Sequence, residues 1–344
     1  MINRKSLGLA LILTLGAAVP QISWGSPESD FAAQASQDFQ NVSSFINGQF
    51  APNLGFFSTL GWNTPPTIFR WDSPLGPHLE VGLGVGVDLF KISDQTLNLS
   101  VLDQSTETNP GQEINNSLKS VGLSGLPVPY PFATVRVGLF GGLDLGFRYT
   151  EIPSVSVNTS SFNVATHYSG YGFDLRYKLL EGHQLPNLTM GVHWNTLSGD
   201  IALGASANQT STFVDSGETY SANVNGSVTY DESWTLNDFG PELSLGYSLL
   251  GFITPYVSVG FERYSGSVIA KTNGNATVTL TPVSPISGSP GAPTSIPLNF
   301  QDNQPPTTFE AHYTAGLDIG SVWSIVGEAN GPSLSVNTSF RAEF

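Results

Sequence analysis

The sequence predicts an all-β, transmembrane, antiparallel up-and-down barrel of about ten strands, preceded by a short N-terminal helix. Three observations predict it. From Leu79 onward apolar and polar residues alternate with period two. The connections between the alternating stretches are short and long by turns. The chain closes on "SLSVNTSFRAEF", where Leu334, Val336, Thr338, Phe340, Ala342 and Phe344 share one face and Ser335, Asn337, Ser339, Arg341 and Glu343 the other.

The first element is an export signal over residues 1–25. Arg4 and Lys5 are its positive end, "LGLALILTLGAAV" its apolar core, and Ser23 and Gly25 the small residues before a cleavage expected ahead of Ser26. The core is too short to span a bilayer comfortably. Removal of this segment leaves 27 acidic residues against 10 basic ones.

Residues 26–78 form the second unit, an N-terminal helix with a lead-in segment, placed in the periplasm or as a plug. Ser26 and Pro27 suit a cap and first turn. Phe31, Ala35, Phe39, Val42 and Ile46 recur at helical spacing until about Pro52.

The barrel occupies 79–344. Its expected strands are 79–91, 131–140, 143–152, 168–180, 187–200, 237–249, 253–267, 307–319, 321–328 and 334–344. Tight turns fall near Gly141–Gly142, 181–186, 250–252 and 319–320, all on one side if the N-terminus starts in the periplasm. The other connections are mostly long, and the even strand count returns the C-terminus to the periplasm. The segment 219–230 also alternates and reads as a hairpin extension above the membrane. The Pro-, Ser- and Gly-rich run 281–299 reads as a mobile outer loop without strand pairing. A twelve-strand variant would use "NLGFFSTLGW" (53–62) and one strand from 93–125.

Charged residues make up only 11% of the chain, low for a water-facing surface. The acidic balance excludes nucleic acid as a partner, since phosphates require a basic surface. The absence of Cys excludes disulfides, thiolate metal sites and an N-terminal lipid anchor on Cys. Lipid cannot satisfy backbone N–H and C=O groups, so an exported sheet in a membrane has to close on itself.

The ending, Leu334 to Phe344, resembles the C-terminal recognition strand of Gram-negative outer-membrane barrel proteins, with Phe340, Ala342 and Phe344 as its assembly signal. Ala342 is small for that pattern. The resemblance implies the outer membrane as location, with the barrel-assembly machinery, outer-membrane lipid and lipopolysaccharide as partners. Gly61-Trp62-Asn63-Thr64 and "LPVPYPFATVRVGLFGGLDLGFRY" (126–149) are similar to an uncharacterised outer-membrane barrel family with an N-terminal helix, which implies no activity.

Chemistry in such a chain sits in the lumen. Arg136, Arg148, Asp174 and Arg176 face inward low in the barrel, and His193, Glu242, Glu262, Glu310 and His312 near mid-height. Glu262 and Glu310 fall at one level on neighbouring strands. One wall is then basic and the opposite wall acidic. These groups fill a narrow barrel as an ion-pair network, or define a constriction for a small solute, or build a metal or acid–base site from His193, His312 and the glutamates. No cofactor is implied, no metal is assigned, and the solute is not named by the sequence. The expected function is passage of a small solute through a narrow charged lumen. The alternatives are a surface structural or adhesive barrel with a closed lumen and, third, an outer-membrane hydrolase. For the last, His167 and Asp200 are the rim candidates, since neither G-x-S-x-G nor H-E-x-x-H occurs.

Overall fold

Alternation forces the chain into strands whose two faces seek different media, and ring closure satisfies the backbone of both edges. In the computed structural model, residues 27–60, 78–90, 126–158, 162–180, 186–215, 218–249, 252–284, 293–306, 308–320, 322–330 and 333–344 are described, with the single positions 116, 119 and 291. The export signal of 1–25, the Gly61-Trp62-Asn63-Thr64 stretch and most of 93–125 lie outside the described residues.

One helix, α1 (Pro27–Thr59), precedes the sheet. The strands are β1 (His78–Phe90), β2 (Leu126–Gly138), β3 (Leu143–Asn158), β4 (Phe162–Leu180), β5 (Asn187–Asp215) and β6 (Glu218–Gly246). They continue as β7 (Ile253–Ser284), β8 (Thr294–Pro297), β9 (Phe300–Gln304), β10 (Phe309–Ile319), β11 (Trp323–Asn330) and β12 (Ser333–Glu343). Ring closure has two seams. The last strand pairs with the first, Val81 opposite Ala342 and Leu89 opposite Leu334. The lower part of β7 pairs with β10, Ile253 opposite Ile319 through Arg263 opposite Phe309. Ten strands form the ring, all antiparallel, while β8 and β9 add to the upper part of β7. The fold class expected from the sequence is the one observed, at ten strands in the ring.

The tight turns gather at one end. Gly141 and Gly142 (φ 75° and 81°) turn β2 into β3, and Gly320 (φ 62°) turns β10 into β11. Side chains other than glycine rarely take that left-handed region, so these positions fix where the chain reverses. At the opposite end β5, β6 and β7 run on well past the ring. The hairpin continues in register to Asp215 opposite Glu218, and β6 stays paired to β7 up to Thr219 opposite Ser284. The expected extension at 219–230 belongs to this wall.

Two expectations are corrected here. The run 281–299 is not without strand pairing: Thr281 lies opposite Ser221, and Thr294–Pro297 pairs back onto Asn275–Val278. Its β-branched residues and the open edge of β7 outweigh its prolines. The twelve-strand variant fails at 53–62, because Asn53–Thr59 continues the helix. The helix continues through Pro52 to Thr59, and bonds to the barrel wall hold its final turn in place.

The two faces of the wall are inverted relative to a water-soluble protein. Leu83, Val85, Tyr171, Phe173, Leu175, Tyr177, Val257, Phe261, Val336 and Phe340 stand exposed on the outside. Inside lie Glu80, Asp88, Arg136, Arg148, Asp174, Asp238, Glu262, Glu328 and Arg341, all buried. Outer aromatics form cross-strand contacts: Phe147–Phe173 at 5.3 Å between ring centroids, Phe173–Trp194 stacked at 6.3 Å, and Phe261–Phe309 stacked at 5.9 Å. Such an outer face belongs in lipid.

Candidate functional site

The interior is built in two polar tiers. The first lies near the tight-turn end. Strand alternation aims Glu80 of β1, Arg136 of β2, Asp174 and Arg176 of β4 and Arg341 of β12 into the same space. Arg136 Nη2 donates to Asp174 Oδ2 at 3.3 Å, and Arg136 Nη1 stands 3.6 Å from Glu80 Oε1. Arg176 Nε is 2.7 Å from Asp174 Oδ2. Arg341 pairs with Asp318 and sits 3.7 Å from Glu80. Gly146 makes this packing possible, because a Cβ there would overlap the Asp174 carboxylate. The basic residues are thus interleaved with Glu80, Asp174 and Asp318, so they do not form one basic wall confronting an acidic one.

The second tier crosses the barrel at mid-height. His193 Nε2 of β5 is 2.8 Å from Glu262 Oε2 of β7 and 3.6 Å from Asp238 Oδ1 of β6. His312 Nδ1 of β10 lies 3.5 Å from Glu262 Oε1, and its Nε2 lies 3.4 Å from Glu328 Oε2 of β11. Asn337 of β12 donates to Glu328, and Asn195 donates to Asp238 Oδ1 at 2.6 Å. A polar chain therefore runs from β5 through β6, β7, β10 and β11 to β12. A Cβ at Gly240 would overlap Glu262 Oε2, so this glycine holds open the space for the carboxylate.

The helix completes the interior. Its final turn reaches the second tier: Ser58 Oγ donates to Asp238 Oδ2 at 2.6 Å, and Arg148 Nη2 of β3 donates to Ser58 O at 2.6 Å. A helix C-terminus carries unsatisfied carbonyls and partial negative charge. No basic residue lies in the last turn of α1, and Arg148 from the barrel wall supplies the missing cation. Further along, Ser333 donates to Asn53 Oδ1 at 2.6 Å, Gly55 packs under the Tyr264 ring, and Asn47 donates to Asp302 Oδ2 at 3.1 Å. Ser43 is bonded to Thr272. The opposite end is apolar: Phe31 and Ala35 pack with Tyr220, Ala222, Val278, Leu280, Ile296 and Leu298 on the extended wall. Helix contacts thus run from the long-strand end to mid-barrel.

Of the residues singled out from the sequence, Arg136, Asp174 and Arg176 meet in the first tier, and His193, Glu262 and His312 in the second. Arg148 contacts the helix end. Glu310 lies opposite Glu262 in the strand register and is half-buried, as is Glu242, which accepts from Ser244 Oγ at 2.8 Å. Phe340, Ala342 and Phe344 are exposed on the outer face. His167 and Asp200 do approach, Nδ1 to Oδ1 at 3.7 Å, but His167 is half-buried, Asp200 is exposed, and both point to the outside of the ring. Sequence reasoning passed over Asp238, Asp318, Glu328 and Asn195. The alternation that placed Glu262 inside would have found each: Glu328 lies two positions beyond Val326, itself buried inside at 1% exposure. The acceptor role of Asp238 toward the helix has no sequence signal, because Ser58 is 180 residues away.

An apolar outer wall, a closed ten-strand ring and a charged interior define a transmembrane β-barrel of outer-membrane type. No family model and no curated protein matches the sequence. Among solved structures, the chain is similar to the translocator domain of the autotransporter NalP from Neisseria meningitidis, at 10% identity and a TM-score of 0.28, over 90% of this chain and 99% of that one. It is similar as well to a FadL homologue of Pseudomonas aeruginosa, at 8% identity and a TM-score of 0.27, over 78% of this chain and 90% of that one. Likenesses this distant concern the barrel architecture alone.

Proposed function

We propose that this protein is an outer-membrane barrel sealed at rest by its own N-terminal helix, serving as a surface structure. The tight turns then face the periplasm and the extended wall of β5, β6 and β7 faces outward. Lipopolysaccharide surrounds the outer leaflet part, and the C-terminal strand is the element read by the assembly machinery. The observation that carries the reading is the seat of the helix end, bonded to Arg148 of β3 on one side and to Asp238 of β6 on the other. A ten-strand barrel has a narrow interior, and a helix about 10 Å across leaves little of it for water.

Gated passage of a small solute is the second reading, and one observation favours it. From mid-barrel upward the helix meets the wall through hydroxyls, amides and carboxylates (Ser43–Thr272, Asn47–Asp302, Asn53–Ser333, Ser58–Asp238), contacts that water can replace when the helix withdraws. Passage would then require that withdrawal.

Planar-bilayer conductance of the full-length chain separates the two. The Cys-free sequence allows a specific staple, Ser43→Cys with Thr272→Cys, between side chains already in contact. A sealed barrel gives no single-channel steps in the oxidised or the reduced form. Steps that appear on reduction and vanish on oxidation would overturn the sealed reading in favour of a gated one.

A further inference from the structure

The second tier holds three carboxylates, Asp238, Glu262 and Glu328, all within 1% of complete burial, and the cations facing them among the described residues are Arg148, His193 and His312. The charges balance only while both imidazoles carry a second proton. Buried carboxylates require partners. One acceptor in the tier goes unsatisfied: Asn195 Oδ1 accepts no hydrogen bond, although Asn195 is fully buried and its Nδ2 is bonded to Asp238, while Glu262 Oε1 has only His312 Nδ1, at 3.5 Å. An unsatisfied buried acceptor beside three carboxylates marks a place for a cation or a bound water.

The donor geometry chooses between them. One ligand atom each from His193, Asp238 and Glu262 lie within 4.8 Å of one another, and the separations from His193 Nε2 are 2.8 and 3.6 Å. Ligands at about 2.0–2.2 Å around a tetrahedral or octahedral ion stand roughly 3.0–3.5 Å apart, so on binding the 2.8 Å pair would open and the 3.6 Å pair close slightly. The three atoms come from three strands of a closed, rigid ring, and the set of one imidazole and two carboxylates suits zinc or a neighbouring divalent transition ion better than calcium. Ser58 of the helix and Asn195 already hold Asp238, the outer-sphere support that orients metal-binding carboxylates.

We propose that His193, Asp238 and Glu262 form a divalent transition-metal site, of the zinc type, inside the barrel and covered by the end of α1. The ion replaces the proton shared between His193 and Glu262, leaves His193 neutral, and ties β5, β6 and β7 together directly beneath the helix. Asn195 Oδ1 or a water fills the remaining position. The inference is independent of whether the lumen ever conducts.

The test uses the full-length chain refolded in detergent with zinc chloride or with a chelator, each preparation checked for folding by its heat-modifiable mobility. After exhaustive dialysis, elemental analysis should find about one zinc per chain in the first preparation. Asp238→Asn and Glu262→Gln should each weaken zinc binding about 10–100-fold. Glu151→Gln, an exposed acidic residue elsewhere, should leave it unchanged. His193→Cys refolded with cobalt should show a thiolate-to-metal absorption band, which arises only if the ion sits on residue 193. Absence of stoichiometric zinc in the wild-type chain overturns the proposal, as does zinc retained equally by both carboxylate variants or a missing thiolate band in a folded, cobalt-loaded His193→Cys protein.

Discussion

Arg136 shows what a single interior residue does in this wall. Its guanidinium reaches Glu80 on the adjacent β1 and Asp174 on β4, one strand beyond its other neighbour, with its own exposure at 2%. A buried ion pair contributes less net stability than its geometry suggests, but removing one partner strands the others. Arg136→Ala leaves Asp174 to Arg176 alone and Glu80 to the more distant Arg341, and we expect a loss of about 2–3 kcal/mol, below that of a fully stranded buried charge. It should read as a lower temperature for conversion of the folded to the unfolded band on gels. A substitution on the lipid face that preserves apolar character, such as Val85→Leu, should leave that temperature within a degree or two.

The extended wall behaves differently from the ring below it. Glu232 lies on the order of 35 Å along the tilted wall from Gly246 at the tight-turn end, beyond the ~25 Å apolar band of an outer-membrane barrel. It is fully buried and accepts a bond from Tyr230 at 2.6 Å. Burial pushes its carboxyl from an ordinary 4.5 up to about 8, against the lowering effect of the Tyr230 hydroxyl. The folded wall therefore keeps a proton that the opened strand releases near pH 4.5. The stability of this region falls as pH rises between those two values and levels off above about 8. Amide hydrogen exchange of β6 and β7 near Glu232, corrected for intrinsic rates, should show weaker protection at pH 9 than at pH 6. Glu232→Gln should remove most of that difference; a difference of unchanged size would place its source elsewhere.

For the molecule as a whole, the decisive contact is between helix and barrel. A Cβ on Gly55 would stand 3.2 Å from the Tyr264 ring, already tight, and a larger side chain has no room. Gly55→Trp should lift the helix end from its seat while the ring, held by its own backbone bonds, still closes. Chymotrypsin should then cut the intact-barrel protein within α1, near Phe31, Phe39 or Phe45, at least tenfold faster than the wild type. Cleavage at the wild-type rate would mean that the helix tolerates the change in place.

The sequence alone determined the ring. Period-two alternation names the lipid face and the inner face residue by residue, and turn glycines such as Gly141 and Gly320 mark where strands reverse, because both signals are local. It also placed Arg136, Asp174, His193, Glu262 and His312 inside. Three things were decided only in three dimensions. The pairing of 294–297 with β7 depends on an open strand edge that no local pattern announces. The seat of the helix end depends on Arg148, which is 90 residues from the carbonyl it satisfies. The tier from Asn195 to Asn337 depends on which inward residues the stagger of the ring brings level. Stagger is a property of closure, set by how ten tilted strands meet at the β1–β12 and β7–β10 seams, and a sequence read strand by strand contains no measure of it.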